Sequence, residues 1–130
     1  IYHKSLKSLL NISDFFSINC PATKETRHII NKETLKYFPD GAVITNSARG
    51  DMIDDDAMVE SLKSGKIFSL GLDVYNGEPE IHPEYLSLPN VFVLPHLGSS
   101  TLKTRAAMAD LAIKNLEVFF ITGKCSNIVN

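Results

Sequence analysis

An α/β domain built on a parallel sheet is the fold class that the sequence predicts, and three observations predict it. Short, almost wholly apolar runs alternate with longer amphipathic stretches along the chain; a strand covered by helices on both faces reads this way, because neither side of it meets water. The stretches between runs are long enough to hold helical crossovers, the connection that parallel neighbours need. Four runs also stop at marked residues: Cys20-Pro21, Arg49, Asp73 with Glu78, and His96. In an open parallel sheet the ligand crevice lies beyond the C-terminal strand ends, so these residues converge on one edge.

Taken in order, residues 5–11 (SLKSLLN) read as a short helix and residues 14–19 (DFFSIN) as a first strand, halted by Cys20-Pro21. A polar stretch (PATKET) leads into a predicted helix over residues 26–38 (TRHIINKETLKYF). Pro39-Asp40-Gly41 ends it, since Pro cannot continue a helix and Asp-Gly favours a turn. Residues 42–46 (AVITN) form the second strand, followed by Ser47-Ala48-Arg49-Gly50. Asp54, Asp55 and Asp56 open a helix that Lys63 and Gly65 close, acids at the positive end of the helix dipole and a cation and Gly at the other. Residues 67–75 (IFSLGLDVY) are the third strand, ending at Asn76-Gly77-Glu78-Pro79. A Pro-containing loop (IHPEYLSLPN) reaches the fourth strand, residues 91–94 (VFVL), which stops at Pro95-His96-Leu97-Gly98.

The last element is a long helix over residues 99–122 with Gly123 as its stop. Leu102, Ala106, Ala109, Ile113, Leu116 and Phe120 follow at spacings of 4, 3, 4, 3 and 4, and Met108, Leu111, Ala112 and Phe119 widen that stripe. The pattern predicts a helix buried on more than one side. Its polar face has few Lys or Arg, which argues against a helix lying on a membrane surface.

At 130 residues, with 44% hydrophobic and 22% charged side chains, the chain can bury a real core within one domain. A net charge of -2 offers no electrostatic case for nucleic acid or an anionic membrane as partner. No apolar run reaches the ~20 residues of a membrane span, and the opening IYHKSLKSLL lacks the apolar core of a signal peptide. Cys20 and Cys125 are far apart in sequence, without a CxxC pattern or a His at ligand spacing. They read as two buried thiols in a reducing cytosol, with no metal site.

Arg49, Glu78 and His96 are each ordinary alone: a surface ion-pair arginine, a solvated turn, a loop histidine. Asp73 is less so, because an acid inside a run as apolar as SLGLDVY needs a partner. Gathered at one sheet edge they suit a single reaction. An arginine holds a carboxylate with two parallel hydrogen bonds. A histidine exchanges a proton near neutral pH, and a carboxylate beside it favours its charged form. Reduction of a 2-keto acid uses this set: Arg49 anchors the acid, a cofactor delivers hydride, and His96 protonates the new alkoxide.

The motifs add a resemblance. Asn46 to Gly50 (NSARG), followed by Asp54, resembles the NxxRGxxVD segment of the D-isomer-specific 2-hydroxy-acid dehydrogenases. Gly71 to Pro79 (GLDVYNGEP) resembles that family's LDVxxxEP segment, Pro95 to Thr101 (PHLGSST) its PHxGxxT segment, and Ser13 to Thr26 its stretch from the fourth strand to a Pro-x-T turn. The motifs run in the family's order along essentially the whole chain.

The resemblance implies that Arg49 binds the substrate carboxylate and carbonyl, that His96 is the acid/base, and that Glu78 pairs with His96. It implies NAD or NADP as cofactor, with Asp73 near the nicotinamide carboxamide and Cys20, Pro21, Ser47, Arg49 and Gly98 lining the cofactor. Retention of Glu78 argues against the formate dehydrogenase branch. The loop YNGEPEIHPEYLSLPNV and the tail FFITGKCSNIVN look most like the glyoxylate/hydroxypyruvate reductase branch. Residues 1–98 would then be the second half of a Rossmann-type domain, and residues 99–130 a long helix and tail crossing back to a substrate domain.

None of the 7 glycines forms a G-x-G, so the pyrophosphate fingerprint is not in this chain. The ribose-selecting residue and the substrate domain are likewise not in it. The expectation is a truncated C-terminal part of a longer enzyme, inactive by itself, whose unpaired sheet edge favours a homodimer or other homo-oligomer. Two other readings stand beside this one: a non-catalytic NAD(H)-sensing protein of the co-repressor type, and an inert fragment with family ancestry only.

Overall fold

The computed structural model describes residues 1–125 and 127–128, in two units, Ile1–Pro95 and His96–Asn130. In the first unit a short helix α1 (Leu6–Leu10) precedes strand β1 (Phe15–Ile18); then come α2 (Lys32–Leu35), β2 (Ala42–Asn46), α3 (Asp55–Lys63), β3 (Ile67–Leu72) and β4 (Val91–Val93). The four strands lie side by side in chain order, all parallel. Successive residues of a strand point to opposite faces, so the register sorts the side chains. Phe16, Ile44 and Leu70 align, as do Ile18, Asn46 and Leu72, and this face carries the core with Ile44 fully buried. Phe15, Val43 and Ser69 align on the other face, where Phe15 is 81% and Phe92 66% exposed. The apolar runs predicted strands covered on both faces; the first unit buries one.

The predicted helix over residues 26–38 contracts to the four residues of α2, and the cause lies in Asn31. Its side chain accepts from the Glu33 and Thr34 N–H groups, while the Thr34 hydroxyl accepts from the Asn31 N–H, a reciprocal cap that starts the helix there. Upstream, His28 takes a left-handed φ of 48°. The His28 and Ile30 N–H groups are spent on the carbonyls of Asp51 and Met52, and Ile30 forms an isolated parallel bridge with Ile53. A tertiary pairing takes the donors that a helix needs.

α3 follows its prediction. Asp54 caps it by accepting from the Ala57 N–H, and Ala57, Met58, Val59 and Leu62 are buried. β3 stops at Leu72, short of the predicted Tyr75, because the Tyr75 N–H turns to the Glu78 carboxylate instead of a neighbouring strand. The loop before β4 is pinned by Tyr85, 1% exposed, whose hydroxyl donates to Asp55 Oδ1 at 2.9 Å. Burial, foremost, pushes the Asp55 carboxyl above its ordinary range, and the Tyr85 hydroxyl pulls it partly back.

Among its described residues the second unit holds one helix, α4 (Leu102–Thr122). Thr101 caps its start by accepting from the Thr104 N–H, and Gly123, at φ 66°, ends it with its N–H on the Phe119 carbonyl. None of its residues is buried, which corrects the expectation of a helix covered on more than one side. Among the described residues no helix is long and apolar enough to cross a membrane.

Candidate active site

The β1 and β2 strands end side by side, Ile18 opposite Asn46, and the chain beyond each forms one wall of an open cleft of about 600 Å³. Asn19, Cys20, Pro21 and Ala22 line it from β1; Ser47, Ala48 and Arg49 line it from β2. Parallel pairing in register is what brings these two loops together.

Asn46 shapes the second wall. It is 1% exposed, a buried polar residue, and both ends of its amide are used. Its Nδ2 donates to the Arg49 carbonyl at 2.8 Å, and its Oδ1 accepts from the Ala48 N–H at 3.0 Å. Two bonds from one buried side chain staple the turn over residues 46–49 and so set where the Arg49 side chain departs. Arg49 is exposed, with Nη1 donating to the Ala48 carbonyl at 2.7 Å. The Cys20 thiol faces Met52, sulfur to sulfur at 3.7 Å, a packing contact of a soft apolar group. Cys20 and Cys125, expected to be buried, are both only partly buried. Among the described residues no three His, Cys, Asp or Glu side chains are grouped to hold a metal.

Gly50 is buried against the turn that follows β3. A Cβ there would lie 1.9 Å from the Tyr75 carbonyl carbon and 2.2 Å from the Asn76 nitrogen. The Arg49 loop and the 75–76 turn are therefore in backbone contact, which only a glycine allows. From that turn Glu78 folds back, its Oε1 accepting from the Tyr75 N–H at 3.0 Å; the Glu78-Pro79 peptide is cis. The Tyr75 hydroxyl donates to the Leu94 carbonyl at 3.0 Å. A smaller hollow of about 200 Å³ adjoins the strand ends, with Asn46, Ser47, Asp73 and Leu94 among its walls. Asp73, half-buried, gives its N–H to the Asn46 carbonyl.

Of the site residues read from sequence, the first unit thus gathers Cys20, Pro21, Ser47 and Arg49 in one cleft, and Ser47 with Asp73 in a second hollow. Glu78 stands in the turn in backbone contact with Gly50. His96 and Gly98 belong to the second unit, where His96 takes a left-handed φ of 54°. Sequence reasoning missed Asn46 and Tyr75. An amide closing the apolar run AVITN was the available signal for Asn46; for Tyr75 there was none, since two of its three partners, Gly50 and Leu94, are distant in sequence. The cleft is lined by small side chains together with the Arg49 cation, and none of the 7 glycines of this chain forms a G-x-G that would grip a pyrophosphate.

Comparison with known proteins shows the family. The family profile for the D-isomer specific 2-hydroxyacid dehydrogenase NAD binding domain matches residues 1–98. Glycerate dehydrogenase of Hyphomicrobium methylovorum is 44% identical over 119 residues, covering 92% of this chain and 37% of that protein. Glyoxylate reductase 1 of Saccharomyces cerevisiae is 45% identical over 123 residues, 95% of this chain and 35% of the relative. Among solved structures, an NADPH-dependent glyoxylate/hydroxypyruvate reductase from Sinorhizobium meliloti, in complex with NADP and malonate, superposes with a TM-score of 0.94 at 36% identity, over 98% of this chain and 40% of that one. A glyoxylate reductase from Paecilomyes thermophila gives 0.87 at 43% identity, over 93% and 37%. The chain spans little more than a third of the curated relatives it matches. It belongs to the D-isomer specific 2-hydroxyacid dehydrogenase family, within that family's NAD binding domain.

Proposed function

We propose that the intact protein carrying this chain reduces small 2-keto acids such as glyoxylate or hydroxypyruvate with NADH or NADPH, and runs the reverse oxidation of D-2-hydroxy acids. The observation that carries the reading is the cleft itself: Arg49 at its rim, beside Ser47, Cys20 and Pro21, at the C-terminal ends of two parallel strands. Relatives named as glyoxylate reductases and a glycerate dehydrogenase support the substrate class.

In this mechanism Cys20, Pro21, Ser47, Asp73 and Gly98 would line the place of the nicotinamide, which when bound would supply a hydride. The Arg49 guanidinium grips the substrate carboxylate by paired charged hydrogen bonds and polarises the adjacent carbonyl. His96 gives its proton to the oxygen that becomes the hydroxyl, and Glu78 stabilises the imidazolium before that transfer. The Asn46 staple and the Gly50 contact fix the backbone from which Arg49 projects, which matters because misplacement of a reacting group by about 1 Å costs roughly a hundredfold in rate. Residues 1–98 form the C-terminal part of the dinucleotide domain, and residues 99–130 lead back to a substrate domain. In this reading the protein works in the cytoplasm, as a homodimer or other homo-oligomer.

Replacement of Arg49 by Ala in the intact protein tests the reading. Loss of two charge-assisted bonds predicts a drop in kcat/KM for glyoxylate of roughly 10²–10³-fold. A variant that turns over at the wild-type rate sinks the assignment, and wild-type protein that binds NADH yet reduces no 2-keto acid points to a sensing role instead.

A further inference from the structure

We infer that Tyr75 is a positioning residue that ties together the three strand ends of the proposed site, holding Arg49, Glu78 and the segment that leads to His96 in one frame. The inference rests on the function proposed above and deepens it. Three separate parts of Tyr75 make three separate contacts. Its backbone N–H donates to Glu78 Oε1 at 3.0 Å. Its carbonyl carbon lies where a side chain on Gly50, the neighbour of Arg49, would stand. Its hydroxyl donates to the Leu94 carbonyl at 3.0 Å, two residues before His96.

The last contact is the informative one. The Tyr75 ring packs against the core cluster, a place that a phenylalanine would fill equally well. The hydroxyl is therefore not needed for packing. It serves the carbonyl of the peptide that joins Leu94 to Pro95. The Leu94 N–H is already bound to the Leu72 carbonyl, and Pro95 has no N–H to offer a neighbour. The Tyr75 hydroxyl holds the tilt of that peptide at the end of β4. Because the same residue braces Gly50 and Glu78, a shift at any one strand end is felt at the others. Reacting groups must keep their places to a fraction of an ångström for the chemical step to follow binding, so a common brace beneath the strand ends acts on the chemical step more than on binding.

The test is Tyr75→Phe in the intact protein, assayed with NADPH or NADH and glyoxylate. The expected result is a fall in kcat of about tenfold with KM within about twofold, and a melting temperature within a few degrees of wild type. Unchanged kcat overturns the inference, and so does a parallel loss of kcat and melting temperature, which marks a purely structural tyrosine. A second readout does not depend on turnover: in the ¹H–¹⁵N spectrum of the same variant the His96 amide is expected to move or broaden while that of Ile44, in the buried sheet, stays. A His96 amide that does not move overturns the inference. Should the wild-type protein reduce no 2-keto acid, the functional reading fails by itself, and the spectrum alone decides the role of Tyr75.

Discussion

α3 and α4 carry the same kind of sequence signal and meet opposite fates. Both have apolar residues at helical spacing, an N-cap that accepts a backbone N–H, and a glycine close behind. α3, nine residues long, buries Ala57, Met58, Val59 and Leu62. α4, at 21 residues, buries none, and leaves Leu116, Phe119 and Phe120 more than half exposed. Periodicity says that a helix has an apolar face; it does not say what covers that face. For α3 the partner is the sheet of its own unit. The uncovered stripe of α4 and the exposed phenylalanines of the sheet mark surface that a lone chain cannot shield from water.

The largest expected effect sets the two helices against each other. Leu62→Ala, at a site 4% exposed, is expected to cost about 2–5 kcal/mol in urea unfolding, by lost burial and an unfilled cavity. Leu116→Ala, at 57% exposure, is expected to cost under about 0.5 kcal/mol in the isolated chain. A cost at Leu116 matching that at Leu62, and growing with protein concentration, would show instead that the α4 stripe is buried between copies.

A smaller effect concerns the loop that carries Glu78. Tyr85→Phe leaves Asp55 without its hydroxyl partner and is expected to cost about 1–3 kcal/mol. The substitution also changes the alkaline limb of stability. The Tyr85 hydroxyl is held far above its ordinary 10.0, by burial first and by the charge of Asp55 next. The unfolded chain releases this proton near pH 10 while the folded chain keeps it, so the contribution is complete below pH 10 and falls as pH rises above it. The variant should therefore lose stability less steeply above pH 10 than the wild type does, in urea midpoints measured across that range. Equal slopes would count against burial of the hydroxyl.

The smallest effects are at the caps. Asp54→Ala is expected to cost about 1 kcal/mol of global stability, because α3 is packed into the cooperative core. Thr101→Ala at the start of α4 should lower the helical circular dichroism by fraying the first turn, with little change in the unfolding midpoint of the sheet. A midpoint shift at Thr101 as large as at Asp54 would mean that the two helices unfold as one body.

Much of the frame is legible in the sequence. AVITN is β2 to the residue, three acids and a Gly bound α3, and Gly123 stops α4. These are local signals, in which a residue's own conformational preference or its neighbour's cap decides the outcome. The helix expected at residues 26–38 failed where a local pattern met a remote competitor, the Ile30–Ile53 bridge. In the candidate site the strand-end positions of Cys20, Pro21, Ser47 and Arg49 were legible, because an apolar run that stops at a polar residue announces itself. The tasks of Asn46 and Tyr75 were not, since a staple and a brace are defined by hydrogen-bond partners that the sequence does not pair.

The sequence by itself determined the parallel α/β class, the family and which residues stand at the strand ends, for these follow from runs, spacings and motifs along one line. Only the tertiary structure decided that one sheet face is buried and the other exposed, that Gly50 is needed because Tyr75 lies against it, and that one tyrosine touches the approaches to Arg49, Glu78 and His96. The physical reason is range. Apolar patterning and capping act over a few residues, whereas close packing and hydrogen bonding act between whatever the register brings together.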